Sequence, residues 1–540
     1  MRRWIIAVLA LAAIAASPAA GTPAQTPKRG GTVVFGPIAE PGCLNPLVAS
    51  CVSPTFFWTL EKVFAPPFAL APDFTPRPEL VSRVTFTRKP PFTLTYDIRP
   101  EARWSDGRPV TARDFVFTHQ AIRKNLAPDL LAGIHPLVQS IRAVDAKTVR
   151  VVLRSRDARW RTHLFAFVLP RHALVGENLG RIWTDRIDNP KTGAPIGTGP
   201  FLVERWERGK QLTLVRNPRY WGPHLAYLDR FVVRFCRACT APPPAEVLAA
   251  LRQGEVDFAL SRDTGIVQDL RRISGVRVLA MPSTGWEHLD LRIGPGGHPA
   301  LRSKLVRRAL AYGIDRVAVV RQLFGEIDPR YRPSDSAVFL NTNRYYRPRW
   351  SGYRYRPDLA RRLLEQAGCR RGGDGIYVCA GERLSLRFLT IAGGRLRERG
   401  LQLVQSQLRQ VGVEVVIAFA TSPALFDQII PRGDFDAVSF TWFATDQLGG
   451  KDIYGCGGPQ NFGGYCQRLV TSDLDQAERI LDADQRARVF SRVDRQLAKD
   501  VPVIPLYQVP FVLAYRDAVR NVVPSPNNLF WNAENWWLDR

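Results

Sequence analysis

Histidine is scarce in this sequence, with seven among 540 residues, and no His, Cys and Asp residues group at the spacing of a transition-metal site. The Gly-x-Ser-x-Gly elbow and the His-Glu-x-x-His pair are also absent. Gly197-Thr-Gly-Pro200 is not a dinucleotide fingerprint, because proline follows where that pattern would open a helix and the third glycine is missing. These absences argue against an enzyme and against a bound metal or cofactor.

Long apolar runs are missing as well. After the N-terminus no stretch approaches the roughly 18 uncharged apolar residues of a membrane-spanning helix. Arg2 and Arg3 precede an apolar run from Ile5 to Ala16, and small residues follow, which is typical of a secretory signal peptide. We expect approximately residues 1–24 to be removed and the mature chain to be periplasmic or extracytoplasmic. The first cysteine is Cys43, so a lipid anchor is not expected.

Acidic residues are in deficit, with 49 Asp and Glu against 75 Lys and Arg and a formal charge of +26. The excess is mostly arginine, spread along the whole chain. No basic tail, RNA-recognition signature or zinc-finger spacing accompanies it, which favours a basic solvated surface over nucleic-acid binding. A salt-sensitive attraction to anionic lipid headgroups or acidic solutes stays open.

The eight cysteines fall into four neighbouring pairs, and export into an oxidising compartment favours four local disulfides. Two alternatives concern only Cys236 and Cys239. Their Cys-x-x-Cys spacing is that of half a zinc site or of a redox-active dithiol, but no second such motif and no thioredoxin-like βαβ pattern accompanies it. The pairs are Cys43 with Cys51, Cys236 with Cys239, Cys369 with Cys379, and Cys456 with Cys466.

The length predicts two or three lobes, because one hydrophobic core does not extend over 500 residues. Apolar residues from Leu401 to Val411 form a helical stripe that ends at Gly412, and a β-branched strand follows, which indicates α/β construction. Residues 92–98 alternate like a half-buried strand. Thr111 is expected to begin a helix that runs to about Lys124, with its hydroxyl capping the backbone and Asp114 at the positive helix end, a variant of the capping box.

A series of short motifs spans nearly the whole chain in a fixed order. The set resembles the extracellular solute-binding proteins of family 5, the dipeptide- and oligopeptide-type receptors of ABC importers. Its members here are Gly30-Gly-Thr-Val33, Leu44-Asn-Pro46, Trp104-Ser-Asp-Gly107, Thr111-Ala-Arg-Asp114, Gly197-Thr-Gly-Pro200, Gly254-Glu-Val-Asp257, the stretches 306–315 and 360–368, and Val501-Pro-Val-Ile-Pro-Leu506.

The resemblance implies an α/β fold of the two-lobed periplasmic-binding-protein type (type II, large cluster), with an extra inserted α+β domain. It assigns residues 28–60, 190–295 and 505–540 to a discontinuous first lobe. The inserted domain takes residues 61–189, and the second lobe takes residues 296–504.

The function that the resemblance implies is capture of a short peptide between the lobes by a monomeric receptor, followed by delivery to a membrane permease. Receptors of similar build take other solutes, so a metal chelate, an oligosaccharide or an opine-like compound stays open. A sensory or chaperone-like envelope protein is a more remote alternative.

In peptide-binding relatives an aspartate in a Gly-Trp-x-x-Asp pattern pairs with the peptide α-ammonium, and the corresponding stretch here is residues 440–446. The resemblance therefore makes Asp446 the ammonium anchor, although it lies one position later and Thr441 replaces the glycine. The alternative for Asp446 is a helix or turn cap. Trp442 and Phe443 would wall the site or belong to the core.

The loop between Cys456 and Cys466 resembles the cystine-closed loop of dipeptide-binding relatives. Asn461 and Tyr465 are therefore secondary candidates for ligand contact, with loop stabilisation as the alternative. Trp286 would approach the cleft from the first lobe, or pack in the core.

Overall fold

The computed structural model describes residues 26–51, 53–87, 89–124, 133–236, 243–421, 424–443 and 449–539. The strands are β1 Thr32–Ile38, β2 Phe68–Leu70, β3 Pro76–Pro78, β4 Val81–Phe86, β5 Phe92–Ile98, β6 Val138–Ala143, β7 Thr148–Leu153, β8 Phe201–Glu207, β9 Gln211–Arg216, β10 Arg230–Phe235, β11 Phe258–Ser261, β12 Val276–Leu291, β13 Arg370–Arg371, β14 Tyr377–Cys379, β15 Glu382–Arg383, β16 Ser385–Ile391, β17 Glu414–Ala420, β18 Ala437–Ser439, β19 Thr441–Phe443, β20 Val503–Arg516, β21 Val519–Arg520 and β22 Trp537–Leu538.

The α-helices are α1 Pro54–Val63, α2 Ala112–Lys124, α3 Trp160–His163, α4 Arg171–Leu174, α5 Pro244–Arg252, α6 Val267–Arg271, α7 Lys304–Gly313, α8 Arg316–Phe324, α9 Pro357–Gln366, α10 Arg395–Gln410, α11 Ile430–Arg432, α12 Lys451–Tyr454, α13 Arg468–Arg479 and α14 Ala483–Asp500. A π-helical segment, Ala424–Ile429, leads into α11.

One mixed sheet runs through most of the molecule, in the order β17-β16-β18-β12-β20-β11-β1-β10-β9-β8, with β19 paired to β12. At one end β16 is parallel to both β17 and β18. Towards the other end β1 is parallel to β11 and β10. Helices that connect such parallel strands cover the sheet faces, as the predicted α/β class requires.

The two long strands β12 and β20 join the halves of this sheet. They pair antiparallel from Val276 opposite Arg516 to Asp290 opposite Val503, with register irregularities between Pro282 and Trp286 and again at Glu287. Strands from the predicted second lobe lie on one side of this pair, and strands from the predicted first lobe lie on the other. The pair is therefore the structural connection between the regions assigned to the two lobes.

A separate antiparallel sheet, β4-β5-β7-β6, lies within the segment predicted as the inserted domain. Strand β5 coincides with the predicted alternating stretch, and its buried Leu94, Tyr96 and Ile98 face the core. Helix α2 begins beside Thr111, and one half of the predicted capping box is confirmed, since the Thr111 backbone N–H donates to Asp114 Oδ2 at 2.8 Å. The other half is wrong, because the Thr111 hydroxyl donates to the same oxygen at 3.0 Å and does not accept from the helix backbone.

Other local predictions are confirmed. Helix α10 buries Leu401, Val404 and Leu408, and β17 follows it. Disulfides join Cys43 to Cys51, Cys369 to Cys379 and Cys456 to Cys466. Cys236 is disulfide-bonded, while its predicted partner Cys239 lies outside the described residues. Across the described ranges, no helix combines the length and apolarity needed to cross a membrane.

Candidate functional site

A cavity of about 680 Å³ lies where β12 and β20 meet the start of α10, and we call it the cleft cavity. Segments from both predicted lobes line it. The predicted first lobe contributes residues 261–265, Ser283, Glu287, Tyr507, Val509 and Phe511, and the predicted second lobe contributes Leu323, Gly393, Gly394, Arg395, Leu396, Arg397, Arg399, Thr441 and Phe443. A ligand here would contact both sides of the β12–β20 connection at once.

Glu287 organises one wall of the cleft cavity. Its carboxylate accepts from Arg397 Nε at 2.6 Å, from Ser439 Oγ at 2.9 Å and from Thr441 Oγ1 at 2.8 Å. Arg397 also donates to Thr441 Oγ1 at 2.9 Å. The Glu287 side chain is only 3% exposed, so this charge depends on its partners inside the protein. The network fixes α10 against β12 and β19.

Three further guanidinium groups around the cleft cavity give it an excess of positive charge. Arg262, Arg395 and Arg399 line it, and none of them forms an ion pair with another described residue. Of the nearby acids, Asp263 accepts from the Gly265 amide at 2.8 Å and Glu398 accepts from the Gly393 amide at 2.9 Å. Because both carboxylates are engaged by backbone, the three guanidiniums are available to an anionic group.

Arg262 is exposed, but its guanidinium lies against an aromatic side chain of the cavity wall. Its Cζ lies 5.6 Å from the Phe511 ring centroid, within cation–π range. The protein around the guanidinium lowers the pKa of Arg262, since partial removal from water penalises the charged form. A ligand carboxylate at this position would offset that penalty with a charge-assisted hydrogen bond.

The predicted aromatic pair lies beside a second cavity. Trp442 and Phe443 both line this space of about 320 Å³, together with residues 158, 159 and 163, 449–453, Gln460, Ala477, Glu478, Arg486 and Phe490. Phe443 is 59% exposed and lines the cleft cavity too. Trp442 stacks on Phe462 with ring centroids 5.9 Å apart. Its indole Nε1 is buried and has no hydrogen-bond partner among the residues that the structure describes.

The remaining predicted contacts lie elsewhere or are already engaged. Trp286 is fully buried and stacks on His288 with centroids 4.5 Å apart, so it packs behind the cleft wall. Asn461 donates to Gly455 O and accepts from the Tyr465 amide within its own loop. The buried Tyr465 hydroxyl donates to Asp500 Oδ2 at 2.8 Å. Asp446 lies outside the described residues.

Sequence reasoning missed Glu287 and the arginines of the cleft cavity. One signal was available: Gly393 and Gly394 precede three arginines at alternate positions, Arg395, Arg397 and Arg399. Cations crowded into the first helical turn oppose the helix dipole, so their presence indicates a role other than helix stability. Among the described residues, no group of three or more His, Cys, Asp and Glu is arranged to hold a metal ion.

Ligand sites occur preferentially where two parts of a protein meet, which is where the cleft cavity lies. The chain belongs to the bacterial extracellular solute-binding proteins, family 5, since residues 75–464 match the family's middle region. The resemblance predicted from the motifs is thereby confirmed. The chain is also 28% identical over 454 residues to the oligopeptide-binding protein OppA of Mycobacterium tuberculosis, covering 81% of this chain and 73% of that protein.

Solved structures confirm the predicted fold class. A periplasmic EDTA-binding protein, EppA, superposes with a TM-score of 0.79 over 96% of this chain and 98% of its own, at 21% identity. The oligopeptide-binding protein AppA of Bacillus subtilis, solved with a nonapeptide, gives a TM-score of 0.68 over 95% of this chain and 100% of its own, also at 21% identity. These likenesses establish the predicted two-lobed α/β fold.

Proposed function

We propose that this protein is the extracytoplasmic receptor of an ABC importer and that it captures a short peptide in the cleft cavity for delivery to the permease. The cleft cavity carries this proposal. It offers about 680 Å³ of space, apolar walls at Tyr507, Phe511 and Phe443, and guanidiniums for a carboxylate. A peptide needs all of these features together with an acceptor for its ammonium group.

In this proposal Asp446 supplies the ammonium contact and Arg262 the carboxylate contact. The predicted lobes, residues 28–60, 190–295 and 505–540 on one side and 296–504 on the other, close on the ligand through β12 and β20. Residues 1–24 direct export. The relation to an oligopeptide-binding protein over 81% of the chain supports the peptide class.

The excess of guanidinium groups favours one second candidate, a polycarboxylate such as a metal chelate. Arg262, Arg395 and Arg399 could engage several carboxylates, whereas a simple peptide has one at its C-terminus. An EDTA-binding protein among the structural relatives shows that this fold accommodates such a solute. The two candidates differ in the ammonium group, which a chelate of this kind lacks.

Native mass spectrometry of protein purified from its own compartment without refolding tests the proposal. Denaturation and identification of the released molecule should give a set of short peptides. Asp446→Ala should then weaken peptide binding strongly and Arg262→Ala should do the same, while Arg252→Ala, on the exposed end of α5, should not. If the released molecule is a polycarboxylate whose binding is unchanged in Asp446→Ala but weakened in Arg262→Ala, the second candidate is correct and the peptide is not the ligand.

A further inference from the structure

A second basic region lies away from the cleft cavity, on the predicted second lobe. Two adjoining concavities of about 700 and 430 Å³ share Tyr353. We call the surface around them the basic face. It is formed by Lys304, Arg308, Arg349, Arg354, Arg495 and Lys499.

Three elements bring these cations together. Helix α7 presents Lys304 and Arg308, and α14 presents Arg495 and Lys499, each pair at i and i+4 on one helix face. The segment between α8 and α9 supplies Arg349 and Arg354. Like charges at i,i+4 destabilise a helix by a few tenths of a kcal/mol, and two such pairs meet here. An external anion would relieve this repulsion.

The protein itself neutralises little of this charge. Lys304 Nζ pairs with Asp500 Oδ1 at 2.6 Å, and Arg349 donates to Ser491 Oγ at 2.9 Å. Arg354, Arg495 and Lys499 form no ion pair with any residue that the structure describes.

The acidic groups nearby are already committed. Asp500 is buried and also accepts from the Tyr465 hydroxyl. The buried Asp494 accepts from the Ala337 amide and the Trp350 indole, and Asp358 pairs with Arg361. No described acidic residue lines the smaller concavity. Asp315 and Asp335 line the larger one, where Asp315 accepts from the Ala318 amide and Asp335 pairs with the buried Arg316. The uncompensated part of the basic face is therefore the smaller concavity together with Arg354.

Two tyrosines lie next to the arginines of the basic face. Tyr312 and Tyr353 pack with ring centroids 4.8 Å apart, and the Tyr353 hydroxyl donates to Ala498 O at 2.6 Å. Both rings are half-buried. Amphipathic aromatic rings prefer the headgroup level of a bilayer, and guanidinium matches phosphate in bidentate geometry.

We propose that the basic face docks this receptor on a membrane surface rich in anionic phospholipid headgroups. The contact is peripheral and electrostatic, with the tyrosines at the headgroup level. Because such attraction acts within a Debye length, it weakens as salt rises. The cleft cavity takes no part in it, so this proposal stands apart from the identity of the transported solute.

Vesicle co-sedimentation with the exported chain tests the proposal. We expect the protein to sediment with phosphatidylcholine vesicles that contain phosphatidylglycerol, and to stay in solution with phosphatidylcholine alone. The variant Arg349→Glu/Arg495→Glu/Lys499→Glu should bind at least about tenfold more weakly, since each basic side chain near an anionic surface adds to the affinity.

The matched control is Arg77→Glu/Arg113→Glu/Arg142→Glu, which changes the net charge equally at exposed sites of the predicted inserted domain. It should retain most of the binding. Equal losses in both variants would overturn the proposal in favour of net charge alone. So would binding to soluble heparin without binding to vesicles, or binding that salt does not weaken. If the glutamate variant does not fold, the corresponding glutamine triple variants are compared in the same way.

Discussion

At the scale of single residues, Glu287 is the most constrained charge of the cleft wall. Removing it leaves Arg397, whose side chain is 16% exposed, without its ion-pair partner. Breaking a buried pair in this way costs roughly 3 to 5 kcal/mol. Glu287→Ala should therefore lower the free energy of unfolding by about that amount in urea denaturation.

Two companion variants isolate this effect. Glu287→Gln should lower the free energy of unfolding by less than Glu287→Ala, because the amide oxygen still accepts from Ser439 and Thr441. Glu326→Ala, at an exposed position after α8, should change stability by less than about 0.5 kcal/mol. A Glu287→Ala variant as stable as the Glu326→Ala control would show that the network does not hold the wall.

Glu79 makes a separate prediction about pH. Burial raises its pKa to about 8; Lys62 and Arg99 partly oppose the shift, while Glu534 and Glu61 add to it. The folded protein therefore keeps this proton up to about pH 8, whereas the unfolded chain loses it near its ordinary value of 4.5. Since the folded state binds more protons between these values, this group makes stability fall as pH rises from about 4.5 through 8.

Glu79→Gln removes that titration. The variant should gain thermal stability relative to the unsubstituted protein at pH 9 and differ less from it at pH 5. Thermal denaturation at the two pH values measures the difference, with Glu326→Gln as the control. A gap between variant and parent that is the same at both pH values would contradict the assignment.

Sequence could identify only part of the candidate site at this scale. Trp442 and Phe443 were found because they lie in one short motif, and the structure places both beside cavities. The pairing of Arg397 with Glu287 spans 110 positions of sequence, and no local pattern encodes it. For Trp286 the sequence left two roles open, contact with the cleft or packing in the core, and the side chain is fully buried.

At the scale of elements, two disulfide-closed segments offer a matched comparison. Cys456–Cys466 and Cys369–Cys379 each span 10 positions, so the chain-entropy model gives them similar contributions of about 2 to 3 kcal/mol. Cys456→Ser/Cys466→Ser and Cys369→Ser/Cys379→Ser should therefore lose similar stability in reversible denaturation.

Their effects on ligand binding should differ. The first loop carries Gln460, which lines the second cavity, and Phe462, which stacks on Trp442. The second disulfide flanks the β13–β14 hairpin, which lines neither cavity. Titration of the identified ligand should show weaker binding only for the Cys456 variant. Equal ligand affinity in both variants would mean that the Cys456–Cys466 loop does not contribute to ligand binding.

Elements with a local sequence signal were predicted well. The Leu401 to Val411 stripe and Gly412 predicted α10 and its end, and the alternation at 92–98 predicted β5. At the start of α2 the role of Asp114 was predicted but that of the Thr111 hydroxyl was wrong. Asp114 is also held from outside the helix, since its Oδ1 accepts from the Arg171 amide at 2.9 Å. Tertiary contacts of this kind are not visible in a single segment.

At the scale of the whole molecule, composition and motif order predicted the receptor fold, but not how its halves connect. Strands β12 and β20 pair Ala280 with Val512 and Glu287 with Tyr507, across more than 200 positions of sequence. Alternation of apolar residues predicts each strand alone but not its distant partner. That pairing decides which residues meet in the cleft cavity, and it explains why the arginines were missed.

The same connection leads to a prediction about closure. A ligand held between the two sides of the cleft cavity makes contacts that exist only when both sides approach, and those contacts supply the energy of closure. Saturation with the identified ligand should reduce the radius of gyration in solution scattering. It should also raise the thermal midpoint, since ligand at 100-fold excess over Kd stabilises the folded state by about 2.7 kcal/mol.

In the Arg262→Ala variant, the fall in radius and the rise in thermal midpoint should need a higher ligand concentration. At saturation the variant should reach the same compact state, because the substitution removes one ligand contact and leaves β12 and β20 intact. A ligand that raises the midpoint with no change in radius would instead mean that the sides are already closed around the cavity. In that case the register irregularity between Pro282 and Trp286 would shape the cavity wall without acting as a hinge.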